Sequence, residues 1–226
     1  MRLLCISDIH GNLDALQAVL ATAERRSFNK LLVAGDVVFP GLTDASRSKP
    51  LETWRRLNAA GAIIVQGTTD RALALLDPSA MPAHTDHEKR MVERMRAVRA
   101  ELGDLVLERL RRLPQSERIP LEDGGELVLV HGAPSDPTEG MSHDLSDDEL
   151  LALVADDPGD VFVCGRTHVA FERILEGRDL RIVNVGSVGE APDGVEPGAA
   201  PKVAHATWIE TSPAGVVVEQ IVVPLD

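Results

Sequence analysis

The chain has 226 residues, 44% hydrophobic and 26% charged, the mix of an ordinary globular protein and long enough to bury a core without staples. A net charge of −13 argues against a groove that tracks a nucleic-acid backbone, which wants a basic face. No apolar stretch approaches membrane-spanning length, and aromatics at 3% with no tyrosine leave the core to aliphatic side chains.

The excess negative charge reads mainly as a solvated surface, with bound divalent cations able to offset part of it. Cys5 and Cys164 both fall in apolar runs. They read as small core hydrophobes rather than a disulfide framework. The N-terminus enters a strand directly, without signal-peptide architecture, so the cytoplasm is the expected compartment.

Leu3 to Ser7 reads as a buried strand, and Asn12 can cap the helix that follows, where Leu13, Leu16, Val19 and Leu20 recur at helical spacing. Leu31 to Ala34 is a second strand ending at Gly35-Asp36, which completes a βαβ unit with a right-handed crossover. Residues 51–60 form a helix with Pro50 at its first turn. Ala62 to Val65 is a third strand, ending at Gly67-Thr68-Thr69-Asp70. The stretch 71–113 reads as helical, broken near Asp77-Pro78 and at Gly103, with a loop over 81–86. Ile119 to Leu121, a turn at Asp123-Gly124-Gly125, and Leu127 to Val130 read as a hairpin.

Residues 133–145 form a loop, and Ser146 caps a short helix through Val154. Val161 to Cys164 is the next strand, ending at Gly165-Arg166-Thr167-His168. Strands follow at 170–175, 180–185, 203–210 and 215–223, with a Gly/Pro-rich loop over 186–201. There is no internal repeat or linker, so one domain over 1–226 is expected. Two sheets packed face to face and covered by helices accommodate this order, as does a single mixed sheet.

Four apolar runs end in metal-type ligands beside a glycine: Asp8-x-His10, Gly35-Asp36, His131-Gly132 and Gly165-Arg166-Thr167-His168. Ligands bind at the carboxyl ends of strands in open α/β sheets, and glycine lets backbone come close. Singly these signals are weak, since a strand-end Asp is more often a turn former; their recurrence points to one metal site. Carboxylates with imidazoles suit Mn, Fe or Zn better than Mg or Ca. His84, His87 and His143 read as exposed polar residues and His205 as a strand residue. Asn184 and Ser187 end a strand at a turn, where a phosphate-facing backbone nest competes with a purely positional role.

These motifs, with Gly67-x-x-Asp70 and Asn184-Val185-Gly186-Ser187-Val188, resemble in order and spacing the calcineurin-like metallophosphoesterases, above all the short bacterial and archaeal single-domain phosphodiesterases. The resemblance spans nearly the whole chain, to Val222–Asp226. It implies an α/β fold, a four-layer αββα sandwich of two mixed sheets, with two metal ions that activate water and clamp a phosphate ester. It further implies that Asp8, His10, Asp36 and His168 hold the first metal, and that Asp36 bridges to a second beside His131.

The sequence departs from the family at Gly67-Thr68-Thr69-Asp70, where Gly-Asn-His-Asp/Glu is expected, and at Gly165-Arg166-Thr167-His168, where Gly-His-x-His is expected. The second metal thereby loses an amide oxygen and an imidazole, and the leaving group loses a histidine. A guanidinium cannot ligate a metal. Near a second ion it would add several kcal/mol of repulsion, so one tight ion is expected and the second weak or absent.

Arg166 is expected either to neutralise Asp36 and polarise a phosphate oxygen, or to ion-pair with Asp36 in a dead site. Catalysis then falls to Arg166 and His131, and substrate binding to Arg166, Thr68, Thr69 and Asn184. The expected partner is a small-molecule phosphate ester, homo-oligomerisation being left open. The rival reading is a degenerate member that binds phosphate, nucleotide or protein without turnover.

Overall fold

Successive side chains of a strand point to opposite faces, and along β1 (Arg2–Ile6) both faces are apolar. Leu3 and Cys5 join one buried cluster, while Leu4 and Ile6 join another. A strand apolar on both sides must lie between two layers. The computed structural model describes residues 1–40, 48–175, 178–192 and 201–225 and shows what those layers are. The rest of the expected loop over 186–201, and Asp226, lie outside the described residues.

β1, β2 (Lys30–Val33), β3 (Ile63–Ile64), β9 (Val203–Ser212) and β10 (Gly215–Pro224) form one sheet in the order β10-β9-β1-β2-β3. β4 (Ser116–Pro120), β5 (Glu126–Val130), β6 (Val161–Cys164), β7 (Phe171–Leu175) and β8 (Leu180–Asn184) form the other, ordered β4-β5-β6-β8-β7. Helices α1 (Leu13–Glu24), α2 (Pro50–Ala59), α3 (Thr68–Leu75) and α4 (Asp86–Arg111) cover the outer face of the first sheet. α5 (Asp147–Val154) covers the second.

The hydrophobic clusters are the seams of this stack. Leu3, Cys5, Leu32, Leu127, Leu129, Val161, Val163 and Val183 fill the space between the sheets. Val128, Val130, Phe162, Cys164 and Ile182, one residue out of phase, face α5 through Leu150 and Val154. The result is an αββα sandwich of two mixed sheets, as the resemblance implied.

Local chemistry explains the element ends. Asn12 caps α1 by accepting from the Ala15 N–H at 3.1 Å, and Ser146 caps α5 from the Glu149 N–H at 3.4 Å. The helical stretch expected over 71–113 is two helices, α3 starting at Thr68 because Gly67 is extended and the Asp70 carboxylate accepts the Gly67 N–H at 3.3 Å. Gly103 breaks α4 with φ 72° and ψ 166°.

β4 spans Ser116–Pro120 rather than 119–121, because its antiparallel ladder to β5 is set by backbone pairing while Ile119 alone is buried. The third strand shrinks to Ile63–Ile64. Both cysteines are buried and unpaired, and burial pushes both thiols up.

β1–β2–β3 run parallel in one sheet and β5–β6–β8 in the other. The carboxyl ends of β1, β2, β5 and β6 meet at one rim: the Asp8 N–H donates to Gly35 O at 3.1 Å, His10 N–H to Asp36 O at 3.0 Å, and Gly165 N–H to His131 O at 3.0 Å.

Candidate metal centre

Seven non-glycine residues have left-handed backbone among those described, and five of them are Asp8, His10, Asp36, Arg166 and His168, with φ from 50° to 73°. That conformation costs an L-residue roughly 1–2 kcal/mol, and such strain gathers where a fold must aim side chains at one point. Two glycines make room. A Cβ on Gly165 would collide with Ser7 and Asp8, and one on Gly67 with Asp36.

Asp8 is fully buried. Its Oδ2 accepts the Arg166 backbone N–H at 2.9 Å. Its Oδ1 lies 3.3 Å from His168 Nε2 and 3.8 Å from His10 Nε2, yet accepts no hydrogen bond. The two Nε2 atoms are 3.3 Å apart. His10 Nδ1 is 2.8 Å from the Phe39 carbonyl oxygen, which can only accept, so the proton is assigned to Nδ1 and the Nε2 lone pair faces the acids. His131 repeats the device, with Nδ1 2.7 Å from Ala34 O and Nε2 3.4 Å from Asp36 Oδ2.

The donor atoms of Asp8, His10 and His168 all lie within 4.8 Å of one another, as do those of Asp8, Asp36 and His131. Donors about 2.1 Å from one cation stand roughly 3.0–3.4 Å apart. The 3.3 Å separations, the freed lone pairs and the unbonded buried Asp8 oxygen therefore fit a divalent cation.

Without one, protonated imidazoles balance the carboxylates. Burial opposes ionisation of Asp8, but His168 and His131 outweigh it and hold its carboxyl below the usual range. Asp36 is likewise lowered against burial, by His131 and His10 and by the Thr69 N–H that donates to Oδ1 at 2.8 Å. Burial disfavours a charged His131, yet Asp36, with Asp8 behind it, pushes it up to about 9. His168 is raised by Asp8 and Glu190, also against burial.

The carboxylate common to both clusters is Asp8 rather than Asp36, which faces His131 and the threonines. Thr68 Oγ1 lies 3.4 Å from both Asp36 Oδ2 and His131 Nε2. Thr69 meets the site through its backbone N–H, its hydroxyl being buried without a hydrogen bond.

Arg166 does not neutralise Asp36. Its backbone N–H serves the site, while its side chain runs past Gly140 to solvent and makes no ion pair among the described residues. The left-handed backbone at residue 166 explains this, aiming the N–H inward. Asn184 takes the positional role and not the substrate-binding one also expected of it. It is fully buried, its amide N–H groups going to Met141 O, Gly165 O and Thr167 Oγ1, and its Oδ1 accepting from the Gly186 N–H. It ties loops together instead of facing a substrate.

His84, His87 and His143 are exposed, and His205 lies in β9. Two acids enter that the motifs left without a role. Asp70 clamps the loop after β2, accepting from the Val37 N–H at 3.0 Å and the Val38 N–H at 3.4 Å; burial and the Asp36 charge push it up to about 6. Glu190 places Oε2 3.8 Å from His168 Nδ1 and 3.9 Å from His10 Nε2. The Ser-x-x-Glu pattern at 187–190, which pairs a hydroxyl with an N–H three residues on, is the one sequence signal for it.

Comparison with known proteins gives the class. Residues 1–204 match the model of the calcineurin-like phosphoesterase superfamily domain, and the chain belongs to that family. It is 27% identical over 207 residues, 84% of this chain and 77% of the other, to the uncharacterized protein MJ0912 of Methanocaldococcus jannaschii. Its fold is similar to that of hypothetical protein PH1004 from Pyrococcus horikoshii OT3, with TM-score 0.77 and 21% identity over 100% of this chain and 88% of that one. A metallophosphoesterase from Sphaerobacter thermophilus gives TM-score 0.69 at 21% identity, over 98% and 88%. The family implies divalent metal ions, and no helix among the described residues is long and apolar enough to cross a membrane.

Proposed function

We propose that this chain is a metal-dependent phosphoesterase acting on a small-molecule phosphodiester, with Asp8, His10 and His168 holding the principal cation. Asp36, His131 and Asp8 form a weaker second position. The observation that carries this reading is the convergence of His10 Nε2, His168 Nε2 and the unbonded Asp8 Oδ1 within 3.3–3.8 Å. The mixed nitrogen and oxygen donors suit Mn, Fe or Zn. A bound divalent ion supplies Lewis-acid polarisation of a phosphoryl oxygen and a nucleophile at neutral pH.

The chain supplies the rest. Asp8 and Asp36 are held in place by the N–H groups of Arg166 and Thr69, so Asp8 Oδ1 and Asp36 Oδ2 stay aimed inward. The exposed Arg166 guanidinium is available to fork onto the non-bridging oxygens of an arriving phosphate. The Thr68 hydroxyl, beside Asp36 and His131, can donate to the ester. No imidazole stands at position 69, so protonation of the departing group is weak and good leaving groups are favoured.

The test is Mn²⁺-supported hydrolysis of bis(p-nitrophenyl) phosphate by wild type and Asp8→Asn. Turnover should exceed that of free Mn²⁺, vanish with EDTA and vanish in the variant; no difference between the proteins sinks the reading. The threonines at 68 and 69, where the family carries Asn and His, favour a second reading as a phosphate- or nucleotide-binding module. Tight ligand binding without turnover would select it.

A further inference from the structure

The inference rests on that reading and concerns a carboxylate it leaves unused. His10 and His131 each present Nδ1 to a backbone carbonyl oxygen, at 2.8 and 2.7 Å. His168 shares the same cluster through Nε2, 3.3 Å from Asp8 Oδ1. Its Nδ1 instead faces Glu190 Oε2 at 3.8 Å, and the Glu190 side chain is 5% exposed.

Glu190 is positioned by construction. The turn after β8 is stitched onto the end of β1: the Val188 N–H donates to Ser7 O at 3.0 Å and the Gly189 N–H to Asp8 O at 2.9 Å. Ser187 Oγ donates to Asp8 O at 2.8 Å and accepts the Glu190 N–H at 2.7 Å. A side chain on Gly189 would collide with the Ile9 carbonyl, so the turn has one seating. The backbone of residue 190 is thereby registered to Asp8, whose Oδ1 is a buried oxygen without a hydrogen bond.

We propose that Glu190 is the positioning residue for His168, holding the Nδ1 side of the ring so that Nε2 presents its lone pair beside Asp8 and His10. A neutral imidazole ligates a metal only through its unprotonated nitrogen, and a carboxylate at the other nitrogen selects that tautomer and makes the ligating atom more basic. At 3.8 Å the contact is electrostatic and not a hydrogen bond. In a buried site a full carboxylate charge at that distance still favours the tautomer whose N–H points toward it. Glu190 Oε2 also lies 3.9 Å from His10 Nε2, but it faces His168 at the nitrogen opposite Asp8, and the His168 tautomer is the readout that separates support of that ligand from direct metal ligation.

The test compares full-length wild type, Glu190→Ala and Glu190→Gln by Zn²⁺ competition against a chromophoric chelator. Long-range ¹⁵N–¹H spectra of the Zn²⁺-loaded proteins read the His168 tautomer. Glu190→Ala should weaken Zn²⁺ binding about 10–100-fold and blur the Nδ1–H signature of His168. Glu190→Gln, which keeps an acceptor without the charge, should restore part of the affinity. Thermal unfolding of the metal-free proteins, expected to match wild type, separates this from misfolding. Wild-type affinity within about threefold in Glu190→Ala, with an unchanged tautomer, overturns the proposal while leaving the metal reading intact. Failure of wild type itself to bind Zn²⁺ overturns both.

Discussion

On one side of Asp8 stand His10 and His168, with Glu190 beyond them; on the other stand Asp36 and His131, with Thr68 and Thr69. Both sides have a buried carboxylate and an imidazole fixed through Nδ1. Each cluster counts three donors; they differ in donor type, two imidazoles against one, and in the work the carboxylate already does. On the first side Asp8 Oδ1 accepts no hydrogen bond. On the second, Asp36 accepts from the Thr69 N–H and the Thr68 hydroxyl, and the neighbouring hydroxyls are poor ligands beside imidazole. On the proposed reading the two positions hold cations unequally because Asp36 is already engaged by hydrogen bonds, and not because of the Arg166 charge.

Breaking the shared element should cost most. Asp8→Asn removes the one carboxylate common to both clusters, and metal-dependent phosphodiesterase activity should fall on the order of 10³-fold, read as kcat/KM at saturating Mn²⁺. The next variants split the two sides. His10→Ala should weaken the first Mn²⁺ bound by about 100-fold in calorimetric titration, while His131→Ala should shift it less than about tenfold. Equal losses would mean that the sides are equivalent.

Filling the deficit should sharpen the contrast in reverse. Thr68→Asn, Thr69→His and Arg166→His combined should raise metal content toward two ions per chain and increase the rate at least about tenfold. Asn184→Ala, outside the comparison, should leave KM unchanged but lower stability by about 1–3 kcal/mol, because buried carbonyls lose their donor. Chemical denaturation checks that figure.

The smallest effect is in pH. In EDTA-stripped protein the folded pKa of His131, about 9, lies above its unfolded value. Its stabilisation is therefore complete below about pH 6.5 and lost as pH rises through 9. Tm should drop by roughly 3–10 °C across that window, a drop that His131→Gln removes. Asp36, with its lowered pKa, contributes the opposite slope, present above about pH 4 and lost on acidification below it.

Asp8, His10, Asp36, His131 and His168 could be read from the chain because each follows an apolar run and sits beside, or two or three residues from, a glycine. Strand period and backbone clearance are written in residue type. The expected pairing of Arg166 with Asp36 is not found among the described residues, because residue type does not say which part of a left-handed residue points inward, and here it is the N–H. For Asn184 the sequence offers a positional role beside a substrate-facing one, and the structure shows the positional one, through partners 19 and 43 residues away that no local pattern names. Glu190 is signalled only by the local Ser-x-x-Glu pattern at 187–190, while the link from Ser187 to Asp8 spans 179 residues. The expected two-sheet stack was legible, whereas β4 was misplaced because an edge strand with one buried residue carries almost no apolar signal.

The unequal positions are tested most directly by anomalous diffraction at the Mn edge from crystals grown with limiting Mn²⁺. A strong peak bounded by Asp8, His10 and His168, with a weaker one or none beside Asp36 and His131, is the expected result. A dominant peak at Asp36 and His131, or none at either position at saturating Mn²⁺, contradicts it.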